Sequence, residues 1–258
     1  MIVVVALPPE GDSTTWEVRR DGHMLGTATI GVRRNGPLLT SLDVPEETAS
    51  DVLDALMDAI RNEGEDSLVV DAAPGDAALA AALLGRDARL EATQMLLDLD
   101  APVQPPARVL LVPMTVADYG EYELHLNAAY ALEMLEAGAY PDLATATLAS
   151  EQSQAALLPR GVETPGHHLW SAHDGDSPVG VLWVHVDGSK AYIYDIEVRE
   201  EQRRRGYGRE LLDAGAVASV ELGATTLGLN VFGPNDGARA LYERAGYVTT
   251  EECFRLAL

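Results

Sequence analysis

The chain has 258 residues, 47% of them hydrophobic, with a formal net charge of −23 at pH 7 and one cysteine, Cys253. The length allows two modest domains with cores of their own, and no apolar run approaches the roughly 20 residues of a membrane-spanning helix. The charge argues against nucleic acids and membranes as partners but suits cationic amines, although solubility alone can explain it, and a single cysteine favours a cytoplasmic protein.

The first hundred residues predict a mixed sheet with helices. The start, Met1 to Leu7, is typical of a strand and not of an export signal, because no basic residues precede its short apolar run. A hairpin is predicted from Trp16 to Ile30 through the turn Asp21-Gly22. Further elements are predicted as a strand at Leu38–Val44, an amphipathic helix at Ala49–Arg61, a strand at Leu68–Val70 and a short helix at Ala77–Leu84.

Prolines mark a boundary in the middle of the chain. The segment 101–107 reads APVQPPA, and its three prolines block both a helix and a central strand. We therefore predict a first domain over residues 1–101, a linker over residues 102–107 and a second domain over residues 108–258.

The second domain predicts a longer alternation of strands and helices, which makes the fold class α/β with a mixed (α+β) sheet flanked by helices. Its predicted elements are a strand at Arg108–Pro113, helices at Val116–Ala137 and Leu143–Leu158, strands at Leu169–His173, Val179–Asp187 and Lys190–Val198, a helix at Glu210–Leu222, a strand at Thr225–Phe232, a helix at Asp236–Arg244 and a last strand or pair of strands at Tyr247–Leu256.

The most informative segment lies between the strand Lys190–Val198 and the helix that follows it. It consists of Arg203, Arg204, Arg205, Gly206, Tyr207, Gly208 and Arg209. Glycines in a turn before a helix let backbone N–H groups face an anion, and the helix dipole adds partial positive charge. A charge run is usually a solvated surface, but this placement in an acidic chain favours a phosphate-binding turn.

The order strand, Arg-x-x-Gly-x-Gly turn and helix resembles the acyl-CoA diphosphate site of the GNAT superfamily of N-acetyltransferases. Residues 231–247, VFGPNDGARALYERAGY, resemble the closing motif of the same superfamily. The resemblance implies acetyl-CoA as co-substrate and a sheet that opens between two parallel strands. It further implies that the backbone of Ile196, Glu197 and Val198 pairs with pantetheine, with an N–H near Ile196 on the thioester oxygen.

The closing motif implies two further roles. Asn235 can cap the last helix, and in the superfamily the matching residue contacts the pantetheine arm. Tyr242, seven residues later, lies two helical turns on and is expected to protonate the departing thiolate. The alternative is a tyrosine that only packs in the core.

The general base is less clearly marked. In N-acetyltransferases of the ribosomal-protein type a glutamate occupies the position of Asn230, but an amide cannot accept a proton. The remaining candidates are Glu197, which we expect to be catalytic together with Tyr242, and Asp195 or the pair Tyr192 and Tyr194. Strand alternation places the carboxylates and the tyrosines on opposite faces, unless a bulge intervenes.

The acceptor pocket is expected near residues 158–170, with His167 and His168 as binding residues beside Asp195 and Asn230. The alternative is that both histidines are satisfied by backbone groups. No cysteine or carboxylate lies at ligand spacing from them, so no metal is expected.

The first domain resembles a degenerate copy of the second. No Arg-x-x-Gly-x-Gly occurs before residue 200, and in an ungapped superposition of the two halves Pro74 falls on Asn235 and Ala81 on Tyr242. We expect a lobe that packs or dimerises without binding CoA, or else one that shapes the substrate site.

The resemblance as a whole implies direct acetyl transfer to the primary amine of a small molecule or peptide by a monomer or homodimer. Two alternatives stay open. In the first, the protein binds CoA as a regulatory or scaffold protein and catalyses no transfer. In the second, it uses a longer acyl donor such as succinyl-CoA.

Overall fold

The computed structural model describes residues 1–33, 36–136, 140–233 and 235–258. The chain forms two compact units: residues 1–94, 232–234 and 249–258 make the first, and residues 95–231 and 235–248 make the second. The predicted linker 102–107 falls within the second unit, and its role as a boundary stays a prediction. The end of the predicted helix Val116–Ala137 and Pro234 in the closing motif lie outside the described residues.

The elements follow in chain order. They are β1 (Ile2–Ala6), β2 (Ser13–Arg20), β3 (His23–Arg33), β4 (Gly36–Asp43), α1 (Glu46–Asn62), β5 (Ser67–Ala72), α2 (Ala77–Leu83), β6 (Arg89–Asp98), β7 (Val109–Pro113), α3 (Val116–Glu136), α4 (Leu143–Leu157), β8 (His167–Asp174), β9 (Ser177–Asp187), β10 (Lys190–Val198), α5 (Tyr207–Glu221), β11 (Thr226–Phe232), α6 (Asp236–Arg244) and β12 (Val248–Ala257). The mixed α/β class predicted from the sequence is confirmed.

The first unit is a sheet covered by α1 and α2. Its strands follow the order β1-β2-β3-β4-β5-β12, with β4 and β5 parallel. The turn between β2 and β3 uses Asp21 and Gly22 with φ of 51° and 83°, as the left-handed positions of a tight hairpin require. Helix α1 buries Val52, Leu53 and Leu56 against this sheet, and each such side chain contributes about 1.5–3 kcal/mol to folding.

The second unit has helices on both faces of a sheet with strand order β11-β10-β9-β8-β7, and residues 95–98 of β6 lie beside β11. Successive side chains of β9 point to opposite faces of the sheet and so contribute to the core on each face. Leu182 packs with Leu212 of α5 on one face, and Trp183 packs with Tyr122 of α3 on the other.

One predicted boundary and one missing strand differ from the structure. Helix α5 begins at Tyr207 and not at Glu210, and Gly206 with φ of 91° is its cap residue. Strand β6 was not predicted, since its Leu, Met, Glu and Ala residues favour helices and only the neighbouring strands make it extended. Residues 248–257 form one strand, which is the first of the two alternatives predicted for this segment.

The first unit repeats part of the element order of the second. The series β2-β3-β4-α1-β5-α2-β6 matches β8-β9-β10-α5-β11-α6-β12, and in both series the third and fourth strands are parallel. Helix α1, however, follows Pro45 and begins with Glu46 and Glu47, whereas α5 follows a glycine and an arginine run.

Candidate functional site

An opening between β10 and β11 defines the site. The parallel ladder joins Lys190–Ile193 to Thr226–Leu229 and ends there. Beyond Ile193, β10 continues to Val198 along β9 alone, while β11 continues to Phe232. Beyond Ile193, the edge of β10 on the β11 side therefore borders a wedge-shaped gap between the two strands, here called the wedge. A ligand in extended form can pair with a free strand edge of this kind.

A bulge in β10 decides which side chains face the wedge. The register with β9 shifts between Ile193 and Asp195, which inserts one extra residue. Ile193 before the bulge and Ile196 after it both pack in the core beneath α5. The opposite face of β10 consequently carries Tyr192, Tyr194, Asp195 and Glu197 together. The tyrosines and the carboxylates thus share a face, because a bulge intervenes.

Asp195 is the most perturbed carboxyl group of this face. Its Oδ2 accepts a hydrogen bond of 2.9 Å from the hydroxyl of Tyr122 on α3. Burial raises the pKa of Asp195 to about 6, and the nearby Glu197 carboxylate acts in the same direction against the Tyr122 hydrogen bond. A carboxyl group with this pKa is mostly ionised at neutral pH but readily takes up a proton.

Tyr242 lies near Asp195 on the other side of the wedge. Its ring packs 6.0 Å from that of Tyr247, and it lines the core beneath α5. Burial, with a further contribution from the charge of Asp195, raises the pKa of Tyr242 to about 12, so its hydroxyl keeps its proton at neutral pH. Tyr242 belongs to helix α6, which is capped by Asn235. The Oδ1 of Asn235 accepts a hydrogen bond of 3.1 Å from the N–H of Ala238, as predicted for a cap.

Glu197 is held through both of its carboxylate oxygens. Oε2 lies 2.8 Å from Nε2 of His125 on α3, and Oε1 lies 3.3 Å from Nη2 of Arg203. The same arginine donates from Nε to the backbone oxygen of Val198 at 3.1 Å. The structure thus brings Glu197 to the site but leaves it fewer open lone pairs than Asp195 has.

A cavity of about 470 Å³ opens beside Glu197 on the α3 side of the sheet. Its walls include Tyr122 and His125 from α3, Glu197 from β10, and Arg199, Glu201 and Arg203 from the chain that follows. The cavity therefore reaches from the bulged strand to the arginine run, and carboxylates outnumber cations around it. Such a wall favours a cationic ligand over a neutral one.

The turn after β10 has an open backbone at Gly206. This residue has φ of 91°, and the nearest atom to an added Cβ is Nη2 of Arg108 at 3.6 Å. Arg204 also has a positive φ, of 62°, and the chain here presents N–H groups at the start of α5. Arg205 donates to Oε1 of Gln202 at 3.2 Å, so its guanidinium lies over the turn. The arrangement suits an anion at the N-terminus of a 15-residue helix.

The other predicted members of this turn have structural partners. The hydroxyl of Tyr207 donates to Asp174 at 2.7 Å. A Cβ on Gly208 would lie 3.0 Å from Cδ2 of Leu241, so this glycine makes room for α6. Arg209 donates to Asp213 and, at 2.7 Å, to the backbone oxygen of Arg244. These three residues can contribute backbone groups to an anion site, while the Tyr207 side chain joins α5 to β8 and the Arg209 side chain joins α5 to α6.

The two predicted histidines belong to an aromatic cluster. Nδ1 of His167 accepts a hydrogen bond of 2.9 Å from the indole of Trp183, and its ring lies 4.2 Å from His185. Burial, with the positive charge of His185, lowers the pKa of His167 to about 4, so this ring is neutral at pH 7. His168 stacks at 5.5 Å on Trp170, and its pKa is lowered by burial. The partner of His167 is a side chain, whereas the sequence analysis weighed a backbone group.

Asn230 follows the last residue of the β10–β11 ladder, Leu229. Its Oδ1 is buried and has no hydrogen-bond partner among the described residues. A buried amide oxygen without a partner is costly, and at this position it is available to an N–H donor in the wedge.

Two residues of the site were missed by the sequence analysis: Tyr122 and His125. They lie three residues apart on α3 and therefore project from the same side of the helix towards β10. The spacing was the available signal, but nothing in the sequence ties α3 to the strand 73 positions later.

The residues that the structure describes hold no cluster of three or more His, Cys, Asp or Glu side chains arranged for a metal ion. Within the same residues, no helix has the length and apolar character needed to cross a membrane.

Residues 129–247 match the sequence profile of the acetyltransferase (GNAT) family. The chain is 38% identical over 149 residues to the N-acetyltransferase YycN of Bacillus subtilis (strain 168), which covers 55% of this chain and 94% of YycN. The crystal structure of YycN superposes with a TM-score of 0.51 over 54% of this chain and 90% of that one.

Two further similarities extend over most of the chain. A mycothiol acetyltransferase of Clavibacter sepedonicus is 30% identical over 238 residues, which covers 88% of this chain and 74% of that enzyme. The crystal structure of a GCN5-related N-acetyltransferase from Sphaerobacter thermophilus superposes with a TM-score of 0.59 over 94% of this chain and 80% of that one. Its 17% identity makes this a similarity of fold alone.

Proposed function

Because this chain belongs to the GNAT family of N-acetyltransferases, we propose that it transfers an acetyl group from acetyl-CoA directly to the primary amine of a cationic small molecule or peptide. The observation that carries the proposal is the wedge between β10 and β11, with a carboxylate, Asp195, and a protonated phenol, Tyr242, beside it. One group is suited to accept a proton and the other to donate one.

The donor is held at two places. The strand edge Ile196–Val198 pairs with the pantetheine arm, and an N–H near Ile196 binds the thioester oxygen. The turn from Arg203 to Arg209 binds the diphosphate through backbone N–H groups and through Arg204 and Arg205. The open space over Gly206 supports this part of the proposal.

The reaction needs three proton transfers. Asp195 accepts a proton from the acceptor ammonium, and the free amine nitrogen then attacks the thioester carbonyl carbon. As the C–N bond forms and the C–S bond breaks, the electron pair leaves with sulfur, and Tyr242 protonates the thiolate. The nitrogen still carries one surplus proton, which passes through solvent to the Tyr242 phenolate. The products are an amide and free CoA, and Asp195 releases its proton to solvent.

We assign the base to Asp195 and not to Glu197. Both oxygens of Glu197 already have cationic or imidazole partners, whereas Asp195 has one hydrogen bond and a pKa near 6. Glu197 keeps a role in the wall of the acceptor cavity. Asn230, His167 and His168 remain candidates for positioning the acceptor, and the free Oδ1 of Asn230 supports its role most directly.

The first unit is proposed to be a degenerate GNAT copy that does not bind CoA. Its matching helix, α1, follows a proline and begins with Glu46 and Glu47, and carboxylates at a helix start repel a diphosphate. The shared element order supports the common origin.

Replacing Gly206 with glutamate tests the donor site, because the new side chain adds bulk and negative charge to the turn. Acetyl-CoA affinity, measured by calorimetry on the full chain, should fall at least about a hundredfold. Gly223→Glu is the matched control, since Gly223 has nearly the same φ, 94°, at the other end of α5 and open space around it.

The control should retain wild-type affinity. Unchanged binding in Gly206→Glu, or an equal loss in both variants, would exclude the turn as the diphosphate site. Turnover with a panel of primary amines then separates an enzyme from a protein that only binds CoA. The same titration with succinyl-CoA compares the two donors.

A further inference from the structure

Arg203 contacts two parts of the site at once. Its Nη2 lies 3.3 Å from the Glu197 carboxylate in the acceptor cavity, and its Nε donates to the backbone oxygen of Val198. Val198 is the last residue of β10, and four residues separate it from the start of the turn at Arg203. This arginine, although part of the Arg-x-x-Gly-x-Gly motif, is therefore directed back towards the strand and not towards Gly206.

Its partner Glu197 extends the connection to α3. The other carboxylate oxygen is 2.8 Å from Nε2 of His125. The result is a chain of three side chains, His125–Glu197–Arg203, along the wall of the cavity. The side chains of Arg203 and His125 are 55% and 61% exposed, so either can change partners at little cost in packing.

We propose that Glu197 holds Arg203 away from the diphosphate turn, and that acyl-CoA binding requires this ion pair to open. This inference rests on the proposed function of the turn. The donor competes with the arginine twice: pantetheine needs the Val198 end of the strand edge, and the diphosphate offers the guanidinium more negative charge than one carboxylate does. Once released, Glu197 faces the cavity as a second carboxylate for a cationic acceptor.

Removing the charge of Glu197 has opposite effects on donor binding, depending on whether this residue stabilises the turn or holds Arg203 away from it. If Glu197 only stabilised the turn, removing its charge would weaken donor binding. If it holds Arg203 away, Glu197→Gln frees the guanidinium and acyl-CoA binds more tightly. The gain is that of one exposed ion pair, about two- to fivefold in affinity.

The experiment measures CoA affinity by calorimetry for the full chain and four variants. Glu201→Gln is the matched control for general electrostatics, because Glu201 lines the same cavity but pairs with Arg199 at 4.0 Å. Glu197→Gln should bind CoA about two- to fivefold more tightly than Glu201→Gln does. On an Arg203→Gln background, adding Glu197→Gln should bring no gain beyond that control.

Two results would overturn the inference. One is equal CoA affinity in Glu197→Gln and Glu201→Gln, and the other is a gain that persists without Arg203. Thermal unfolding of each variant shows that the fold is retained. A wild-type chain that fails to bind CoA at all would instead refute the proposed function, so the two failures are distinguishable.

Discussion

Asp195 occupies a position that costs folding free energy. It is largely withdrawn from water, close to Glu197, and has Tyr122 as its one hydrogen-bond donor. The folded chain therefore favours the protonated carboxyl group more than the unfolded chain does. A group of this kind is expected where proton transfer takes place, since its pKa is near the working pH.

Replacing Asp195 with asparagine should remove the base while preserving the shape of the side chain. At pH 7.5 we expect kcat/KM to fall by about 10²–10⁴-fold. In the wild type, activity should decline as the pH is lowered through about 6, because the base becomes protonated, and this decline should be missing from the variant. A pH profile with the same inflection in both proteins would contradict the assignment.

Stability provides the control for that variant. The pKa of Asp195 is about 6 in the folded chain against an ordinary value of 3.8, so its ionisation destabilises the fold as the pH rises between these values. Asparagine avoids this cost and should raise the free energy of unfolding by up to about 3 kcal/mol at pH 7.5. The difference should vanish below about pH 3, where the wild-type carboxyl group is protonated in both states.

Tyr247 provides a matched control for the role of Tyr242 as the general acid. Tyr242→Phe should lower kcat about a hundredfold with little change in acetyl-CoA affinity, because only the proton donor is lost. Tyr247→Phe removes a buried hydroxyl that has no hydrogen-bond partner among the described residues, and it should leave kcat unchanged. Similar kinetics in the two variants would remove the assigned role of Tyr242.

The residues of the site were predictable where their spacing is local. Asn235 is the cap of α6 and Tyr242 lies seven residues later in the same helix, and the turn 203–209 follows β10 after one short 3-10 helix. The partners of Asp195 and Glu197 come from α3, more than 70 residues earlier, so no local pattern specifies them. The choice between the two carboxylates depended on those partners.

At the scale of the elements, the contact between β9 and β10 controls the site. Gly180 lies opposite Val198, and a Cβ there would overlap the backbone oxygen of Glu197. The two strands can approach in this way only because position 180 has no side chain. The bulge at Ile193–Asp195 lies farther along the same pair.

Gly180→Ala should therefore destabilise the chain by about 1–3 kcal/mol, since the obstacle is backbone and cannot rotate away. Gly120→Ala is the contrasting variant: Gly120 lies in α3 with open space around it, and alanine there should add about 0.5–1 kcal/mol. Denaturant titrations measure both. Equal stability of the two variants would show that β9 and β10 adapt to the added carbon.

The order of the elements in the second unit was largely predictable, because strands and helices alternate with clear turns. The bulge was not. In the sequence YIYDIEV, Ile193 and Ile196 are three positions apart, which breaks strict alternation but does not reveal where an extra residue is inserted. Only the opposing strand shows that Tyr194 and Asp195 face the same way.

At the scale of the whole chain, the units divide the sequence differently from the predicted domains. A fragment of residues 105–258 should unfold at lower denaturant concentration than a fragment of residues 95–248, although it is of equal length. It lacks residues 95–98 beside β11, and its residues 249–258 have lost β5. An exposed strand edge of this kind also promotes aggregation.

Circular dichroism and size-exclusion chromatography of both fragments check this prediction. A cooperative, monomeric 105–258 fragment that is more stable than 95–248 would contradict it and would support the boundary at 102–107. The proline-rich segment alone could not decide the matter, because a linker in the sequence does not reveal which sheet each strand joins.

Strand β12 lies beside β5, yet about 150 residues separate Gln94 from this strand. During synthesis at roughly 5–20 residues per second, the ribosome adds these residues over roughly 8–30 s. For that time the nascent first unit waits with an open sheet edge. Its completion therefore depends on the speed of translation, because most of the second unit has to be synthesised before β12 is available.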